Sequence, residues 1–518
     1  MDVVGSNVIT GERPRIEFGG RKFGGGEAVA MRRLQGAIFV VVLITSLLGI
    51  GVRATYGAQV SADEPQYLLT AISLGEDLDL DISDELAEER FRDFHEVNLS
   101  QQTIDLTSDG QRISPHDPLL PIILAGPVLL GGWEAAKATL SVIAALTAVA
   151  TFVLAVRRFD VTPRIAAVVT ATFFVAAPFT AYGTQVYPAM PAALATVLGV
   201  YGVTGPLATR TSAIAVTSVV ALPWLSVKYV PIAAVIGIAM LVRHWVGGDR
   251  RGFLLFGGVL GVAGVMYLAV HQRVWGGWTV YSAGDHFVTG EFEVVGTNPN
   301  YVARTNRLVG LLVDRFYGVA AWAPGFLLMP AGVLATYVHG PRKRWLPNAD
   351  AFVVLSTIAA GWAVATWVAL TMHGWWWSGR QIVPILPLVV VGISILVQRL
   401  PKLRVPVVLS GALGVLNWFW LAFETSTGRL ALIVDHEETS NPIFQMWAQF
   451  LPDHRVDAFG DQLMTAGWGV LFALSVGATW RALRTTTSVS ADFGADADGV
   501  VDQVQESSRG SALVSAGR

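Results

Sequence analysis

From Gln35 onward the chain repeats one pattern: an apolar run near twenty residues long, then a short basic or a longer polar connection. Such a run, wound as a helix, crosses the hydrocarbon of a bilayer. Inside lipid every backbone N–H and C=O must be satisfied by its own segment, so helices are the natural reading of serial runs. They fall at 35–52, 135–156, 164–181, 187–204, 212–226, 229–245, 252–271, 319–338, 351–371, 380–398, 405–423 and 463–481. The fold class expected is therefore an all-α polytopic membrane protein with about twelve transmembrane helices and a long first extracytoplasmic loop. Composition agrees, with 53% hydrophobic and only 14% charged residues and a mean hydropathy of +0.51. Cysteine is absent, which excludes disulfides, thiolate metal ligands and a cysteine nucleophile.

The connections assign a direction. With the amino terminus in the cytoplasm, the inner loops carry Arg157, Arg158 and Arg164, then Arg210, then Arg243 with Arg250 and Arg251. Further along they carry Arg342-Lys343-Arg344, Arg399 with Lys402 and Arg404, and Arg481 with Arg484. Every short inner connection is basic, as the positive-inside rule requires. The long loops at 53–118, 272–318 and 424–462 then face outward, and they gather the acids, histidines and aromatics. Residues 1–34 and 484–518, rich in Gly, Ser, Ala and scattered charge, are expected to be disordered cytoplasmic tails around a transmembrane domain at 35–483. Leu119 to Trp133 is apolar but short and holds Pro121 and Pro127, which suggests a re-entrant or interfacial segment.

Within the first outer loop, Ser61-Ala62-Asp63-Glu64-Pro65-Gln66-Tyr67 places two carboxylates just beyond the first span. Acids contribute little to membrane orientation, so anchoring does not require them. Pro65 suits a first helical turn, which sets Asp63 and Glu64 at a helix start, where the dipole favours ionised carboxylates. An acidic helix cap and a catalytic pair fit that spacing equally well.

Other chemistry-bearing residues sit at outer span ends: His116 and Asp117, Gln185 and Tyr187, Lys228, Arg304 to Tyr317, and His373 to Arg380. Polar groups gathered over apolar walls are the form of a site for an amphiphilic substrate. Each also has a plainer reading. Lys228 could snorkel, Arg380 could be an interfacial anchor, His116 could bond locally, and Asp314-Arg315 could be a solvated ion pair. From Asp77 to Glu88, oxygen-bearing residues occupy positions one, three, five, seven, nine and twelve of a calcium loop, but position six is Ile82 where a glycine must turn the chain. The alternation Asp-Leu-Asp-Leu-Asp-Ile equally describes an extended strand, and no metal ligand is assigned. No P-loop, dinucleotide fingerprint, HExxH or Gly-x-Ser-x-Gly is present. An activated substrate would then come from the membrane.

Asp63-Glu64-Pro65-Gln66-Tyr67-Leu68, Tyr187-Pro188-Ala189-Met190-Pro191, Leu222-Pro223-Trp224-Leu225, Asp314-Arg315-Phe316-Tyr317-Gly318 and Trp377-Ser378-Gly379-Arg380-Gln381-Ile382-Val383-Pro384 span roughly 35–400. Together they resemble the GT-C superfamily of membrane glycosyltransferases, in its protein-mannosyltransferase-like and aminoarabinose-transferase-like branch. The resemblance implies a GT-C-like fold and transfer of a hexosyl or pentosyl group, with inversion, from a polyprenyl-phosphate sugar donor. A cell-envelope glycan, lipid or protein would be the acceptor on the outer face. It implies Asp63 as the catalytic base, with Glu64, His116 and Asp117 assisting. Tyr67, Gln185, Tyr187, Lys228, Arg315, Trp377 and Arg380 would bind substrate. The chain departs from the pattern at Ala189, where relatives often carry a second acid. No cofactor is assigned, and a divalent cation is left open. The lipid bilayer is a partner and nucleic acid is not. Two other readings stay open: a lipid or sugar transporter or flippase, which would place its charges at the membrane midplane, and a catalytically silent lipid-binding relative.

Overall fold

A computed structural model describes residues 25–99, 102–105, 110–280, 300–339, 348–456 and 458–485. Most of both expected tails, the middle of the second outer loop and Arg342-Lys343-Arg344 lie outside the described residues. The architecture is all-α, with one two-stranded ribbon. Among the described residues, seven helices are long and apolar enough to cross a membrane, and three more apolar helices are shorter. The chain is a multi-pass membrane protein.

Helix α1 (Gly25–Leu47) is followed by α2 (Glu64–Glu76) and α3 (Ser83–Ala87) in the first long loop. There β1 (Ile104–Asp105) pairs antiparallel with β2 (Arg112–Ile113). The bundle continues through α4 (Leu119–Arg158), α5 (Pro163–Phe174), α6 (Ala189–Val203), α7 (Thr209–Leu225), α8 (Val230–Val246) and α9 (Arg250–Val274). It closes with α10 (Met329–His339), α11 (Ala349–Ala363), α12 (Leu386–Arg399), α13 (Arg404–Ser426) and α14 (Phe459–Thr485). Every expected span meets a helix, but several are broken. The span expected at 319–338 divides into Val319–Trp322, a 3-10 turn at Pro324–Leu328, and α10. Pro324 explains that break, because its ring lacks the N–H that would continue a helix. Broken segments are tolerated at membrane depth where protein surrounds them. The burial of Val319 to Trp322 and of Gly325 and Phe326 meets that condition.

Leu119 to Trp133 is helical and runs into the next span as the first part of α4. The two parts meet at a kink where Gly131 and Gly132 leave helical geometry, Gly132 with φ +61° and ψ −154°. Only glycine enters that region without strain. Leu120, Leu124 and Val128 turn inward, while Ile122, Leu129 and Leu130 are exposed, an apolar outward face suited to a membrane boundary. Helix α2 packs on α4 and is buried on all sides from Glu64 to Ser73.

The Asp77–Asp81 alternation forms neither a strand nor a calcium loop. Asp79 Oδ1 accepts from Ser73 Oγ and the Asp81 N–H, and Asp81 Oδ1 accepts from the backbone of Ser83 and Arg112. Short acidic side chains bond readily to nearby backbone, and here that preference outweighs the period-two pattern.

Helices α10 and α12 touch through glycines: a Cβ on Gly392 would lie 2.7 Å from the Gly332 carbonyl oxygen. Close approach through small residues is how membrane helices maximise dispersion contact. Gly392→Val is expected to cost about 1–3 kcal/mol through overpacking. Gly261→Ala on α9, where an added Cβ meets nothing within 4 Å, is expected to be neutral or stabilising by up to about 1 kcal/mol. Thermal unfolding of the two variants in detergent checks the contrast.

Candidate functional site

The turn ahead of α2 is set by an unusual backbone. Ala62 sits at φ +47°, a conformation disfavoured for a residue with a Cβ and often found where a site is being aimed. Glu64 holds the turn: Oε1 accepts from the Ser61 N–H and Oγ, both at 3.1 Å, and Oε2 accepts from the Val186 N–H at 2.7 Å. Lys137 on α4 donates to the Gln59 carbonyl at 2.7 Å on the same segment. Burial pushes the Glu64 carboxyl up, and Lys137 and these donors oppose it without cancelling it. Asp63 makes no side-chain cap bond, so the acidic-cap reading fails for it.

Asp63 instead meets Arg380, from the loop ahead of α12, with Oδ2 2.5 Å from Nη2 and side-chain exposures of 15% and 9%. Burial would raise the Asp63 carboxyl, but Arg380, then His116 and Lys228, outweigh it and hold the group below the usual carboxylate range. Arg380 is fixed from both sides, with Cζ 4.0 Å from the centre of the Tyr187 ring and 4.6 Å from that of Trp376. Its Nε is buried with no hydrogen-bond partner among the described residues.

These groups line one cavity of about 1330 Å³. Asp63, Tyr67, His116, Lys228 and Arg380 reach its wall, joined by Gln102, Gln381, His373, Trp375 and Trp376. Lys228 Nζ donates to Gln381 Oε1 at 3.3 Å, and His116 Nε2 lies 3.3 Å from Gln102 Oε1. The His116 ring stacks on Tyr67, 4.6 Å between centres. Burial, with Arg380 and Lys228 nearby, lowers the His116 pKa despite Asp63 and Asp117, favouring the neutral ring at pH 7. Part of the wall is apolar (Val230, Pro231, Val364, Val368) and another part carries polar groups (His95, Asn98, Asp435).

No family model and no curated protein matches the chain. Two solved structures are similar to it. The apo crystal structure of ArnT from Cupriavidus metallidurans is 14% identical over 88% of this chain and 78% of that one, with a TM-score of 0.46. The structure of the same protein bound to undecaprenyl phosphate has the same identity and coverage, with a TM-score of 0.44. At that level of overlay the likeness carries no inference, and function is read from this chain's own cavity.

Six of the candidates from sequence do not reach the cavity wall. Asp117 is 2% exposed. Its Oδ1 accepts from Tyr267 Oη at 3.0 Å and lies 2.9 Å from His271 Nε2, while Oδ2 accepts from the Val227 N–H at 3.0 Å. It clamps the first outer loop to α9 and to the start of α8. Glu64 is spent on the Ser61 turn. Tyr187 supports Arg380 and donates to the Ser61 carbonyl. Arg315 Nε donates to the carbonyls of Ala448 and Leu451, and Asp314 bonds His454 rather than Arg315. Trp377 is fully buried among Trp322, Trp418 and His436, whereas its neighbours Trp375 and Trp376 face the cavity. Gln185 is buried and also lies away from the wall.

The sequence reading missed Gln102 and Gln381, which brace His116 and Lys228. Gln381 stands in the Trp377–Pro384 motif beside Arg380 and was given no role, while nothing in the local sequence distinguishes Gln102 from other loop glutamines. It also missed Tyr267 and His271, although a histidine within an apolar run was a usable signal.

The lowered Asp63 pKa gives a signed expectation. The ion pair contributes its full stability above the unfolded carboxylate pKa and loses it as pH falls through the lower folded value. Asp63→Asn is therefore expected to destabilise the protein at pH 7 by about 3–5 kcal/mol, because Arg380 is left buried and unpaired. The difference from wild type should shrink as pH falls below the ordinary carboxylate range, where Asp63 itself protonates. Melting curves of the two proteins across pH 2.5–7 read this directly.

Proposed function

We propose that the chain is an integral-membrane glycosyltransferase that moves a sugar from a polyprenyl-phosphate donor to an envelope glycan, lipid or protein acceptor on the extracytoplasmic face. The observation that carries this reading is one cavity joining a carboxylate held ionised, an arginine, a lysine and an apolar flank, with one guanidinium donor still unspent. Arginine's planar fork suits a phosphate, and Arg380 offers Nε in addition to the Nη2 already given to Asp63. Lys228 adds a second basic side chain to the same wall. The apolar flank from α8 and the turn after α11 suits the first isoprene units of the donor. The polar flank is left for the acceptor.

In the proposed reaction the acceptor hydroxyl oxygen attacks the anomeric carbon and its proton passes to Asp63. The carbon–oxygen bond to the lipid phosphate breaks, and that oxygen keeps the bonding pair. Attack opposite the leaving group inverts the anomeric configuration. Negative charge grows on the phosphate as the bond breaks, so Arg380 and Lys228 bind the transition state more strongly than the donor. A carboxylate held by Arg380 is a weak base. A donor phosphate that draws the guanidinium toward itself would loosen that hold and restore basicity where the acceptor sits. Donor binding and base activation would then share one side chain. Glu64 acts through the backbone, holding the turn that presents Asp63.

The test is turnover in proteoliposomes supplied with polyprenyl-phosphate sugars and an envelope acceptor fraction, with mass spectrometry of products. Wild type should form a new glycosidic bond and release polyprenyl phosphate. Asp63→Asn should lower the rate by roughly 10²–10⁴-fold, the usual contribution of a general base, while still retaining the donor. Lys228→Met should weaken donor binding and also lower the rate at saturating donor. Near-normal turnover by Asp63→Asn removes that residue from the reaction, and movement of lipid across the bilayer without a new bond indicates a transporter instead.

A further inference from the structure

A second charged cluster lies at the far end of α2, away from the cavity. Asp77 caps the helix C-terminus, and Asp84 and Glu85 stand in the first turn of α3. One carboxylate oxygen from each falls within 4.8 Å of the others. Asp77 and Asp84 are exposed, but Glu85 is 2% exposed, and neither of its carboxylate oxygens has a hydrogen-bond donor among the described residues. The nearby charges do not neutralise it. Arg90 is bidentate on Glu76, at 2.7 and 3.0 Å, with Glu88 3.8 Å away. Asp79 and Asp81 are occupied by the turn that precedes α3.

A buried carboxylate without a donor, facing two more carboxylates, is strongly unfavourable unless a positive charge joins it. Three carboxylates converging with open solvent on one side are also the donor set of a hard, oxygen-seeking cation. Oxygens separated by up to 4.8 Å can share one ion at the usual calcium–oxygen length of about 2.3–2.6 Å, with water completing its shell.

We propose that Asp77, Asp84 and Glu85 bind one hard divalent cation of the calcium class, which pins the C-terminal end of α2 to α3. The set differs from the calcium-loop spacing read along 77–88, because Asp79 and Asp81 are consumed by local turns and Glu88 lies outside it. Helix α2 rises about 1.5 Å per residue over its length, so the ion would stand roughly 20 Å from Asp63. Its part is to brace the helix whose other end presents Asp63, and it takes no part in the reaction. The proposal stands whether or not the cavity transfers sugar.

The experiment uses full-length protein purified in detergent, stripped with EDTA, dialysed and titrated with calcium chloride by calorimetry. Melting temperature is followed through tryptophan fluorescence in parallel. Wild type is expected to bind one ion with a dissociation constant on the order of 10⁻⁴–10⁻³ M, the range of extracellular calcium modules, and to melt at higher temperature with calcium than without. Glu85→Gln and Asp84→Asn should each weaken binding at least tenfold and abolish the calcium-dependent shift. Glu85→Gln should melt no lower than wild type when both are free of calcium, since it removes an unpaired buried acid. Glu88→Gln should bind as wild type does. Wild type that neither binds calcium nor shifts in melting overturns the proposal. So does calcium affinity unchanged in Glu85→Gln, or lost in Glu88→Gln.

Discussion

The Asp63–Arg380 ion pair is the contact on which the cavity end of the molecule depends. It joins the first long loop to the loop ahead of α12, which are far apart in the chain, with both side chains largely covered. Ion pairs in such places are costly to assemble and costly to break, because each partner has given up water. The surroundings supply what the pair alone would lack. Tyr187 and Trp376 cover the guanidinium faces, Glu64 fixes the turn carrying Asp63, and Ser61 Oγ donates to the Trp375 carbonyl, tying that turn to the loop carrying Arg380. In the proposed reaction, redirecting that pair toward a phosphate would couple donor binding to reactivity.

Carboxylates in the outer loops divide by what they touch. Glu64, Asp117 and Asp314 accept from backbone N–H groups and neighbouring side chains until little capacity remains, and each joins segments far apart in sequence. Asp63 alone among the four candidate acidic and histidine residues at 63, 64, 116 and 117 combines a carboxylate with the cavity wall. The other acids are held to backbone N–H groups away from the cavity wall. Asp63 is accordingly the residue to which the proposed reaction gives the role of base.

Much of the architecture was legible along the chain. Apolar runs fixed where helices lie, since their length and the need to satisfy backbone in lipid leave few alternatives. What escaped was where those helices break, as at Pro324, because a break is stable only when surrounding protein covers the freed backbone groups. The oxygen spacing along 77–88, from which no metal ligand was assigned, was a poor guide to contacts for a related reason. Periodicity counts oxygens along the chain, whereas Ser73, Ser83 and Arg112 decided which of them were already engaged.

The site shows the same division more sharply. Sequence alone determined that acids, cations and aromatics would gather at the span ends on one face, because charge is expelled from the hydrocarbon and the direction of each span then places it. It also marked Asp63, Lys228 and Arg380. Tertiary structure decided which of the gathered residues meet. It turned Asp117 toward α9, Arg315 toward the carbonyls at 448 and 451, and Trp377 into the core, and it brought Gln102 and Gln381 to the wall. The physical reason is that hydrogen-bond satisfaction is a property of the folded neighbourhood. A side chain's role follows from which partners reach it first, and those partners come from loops that sequence order keeps apart.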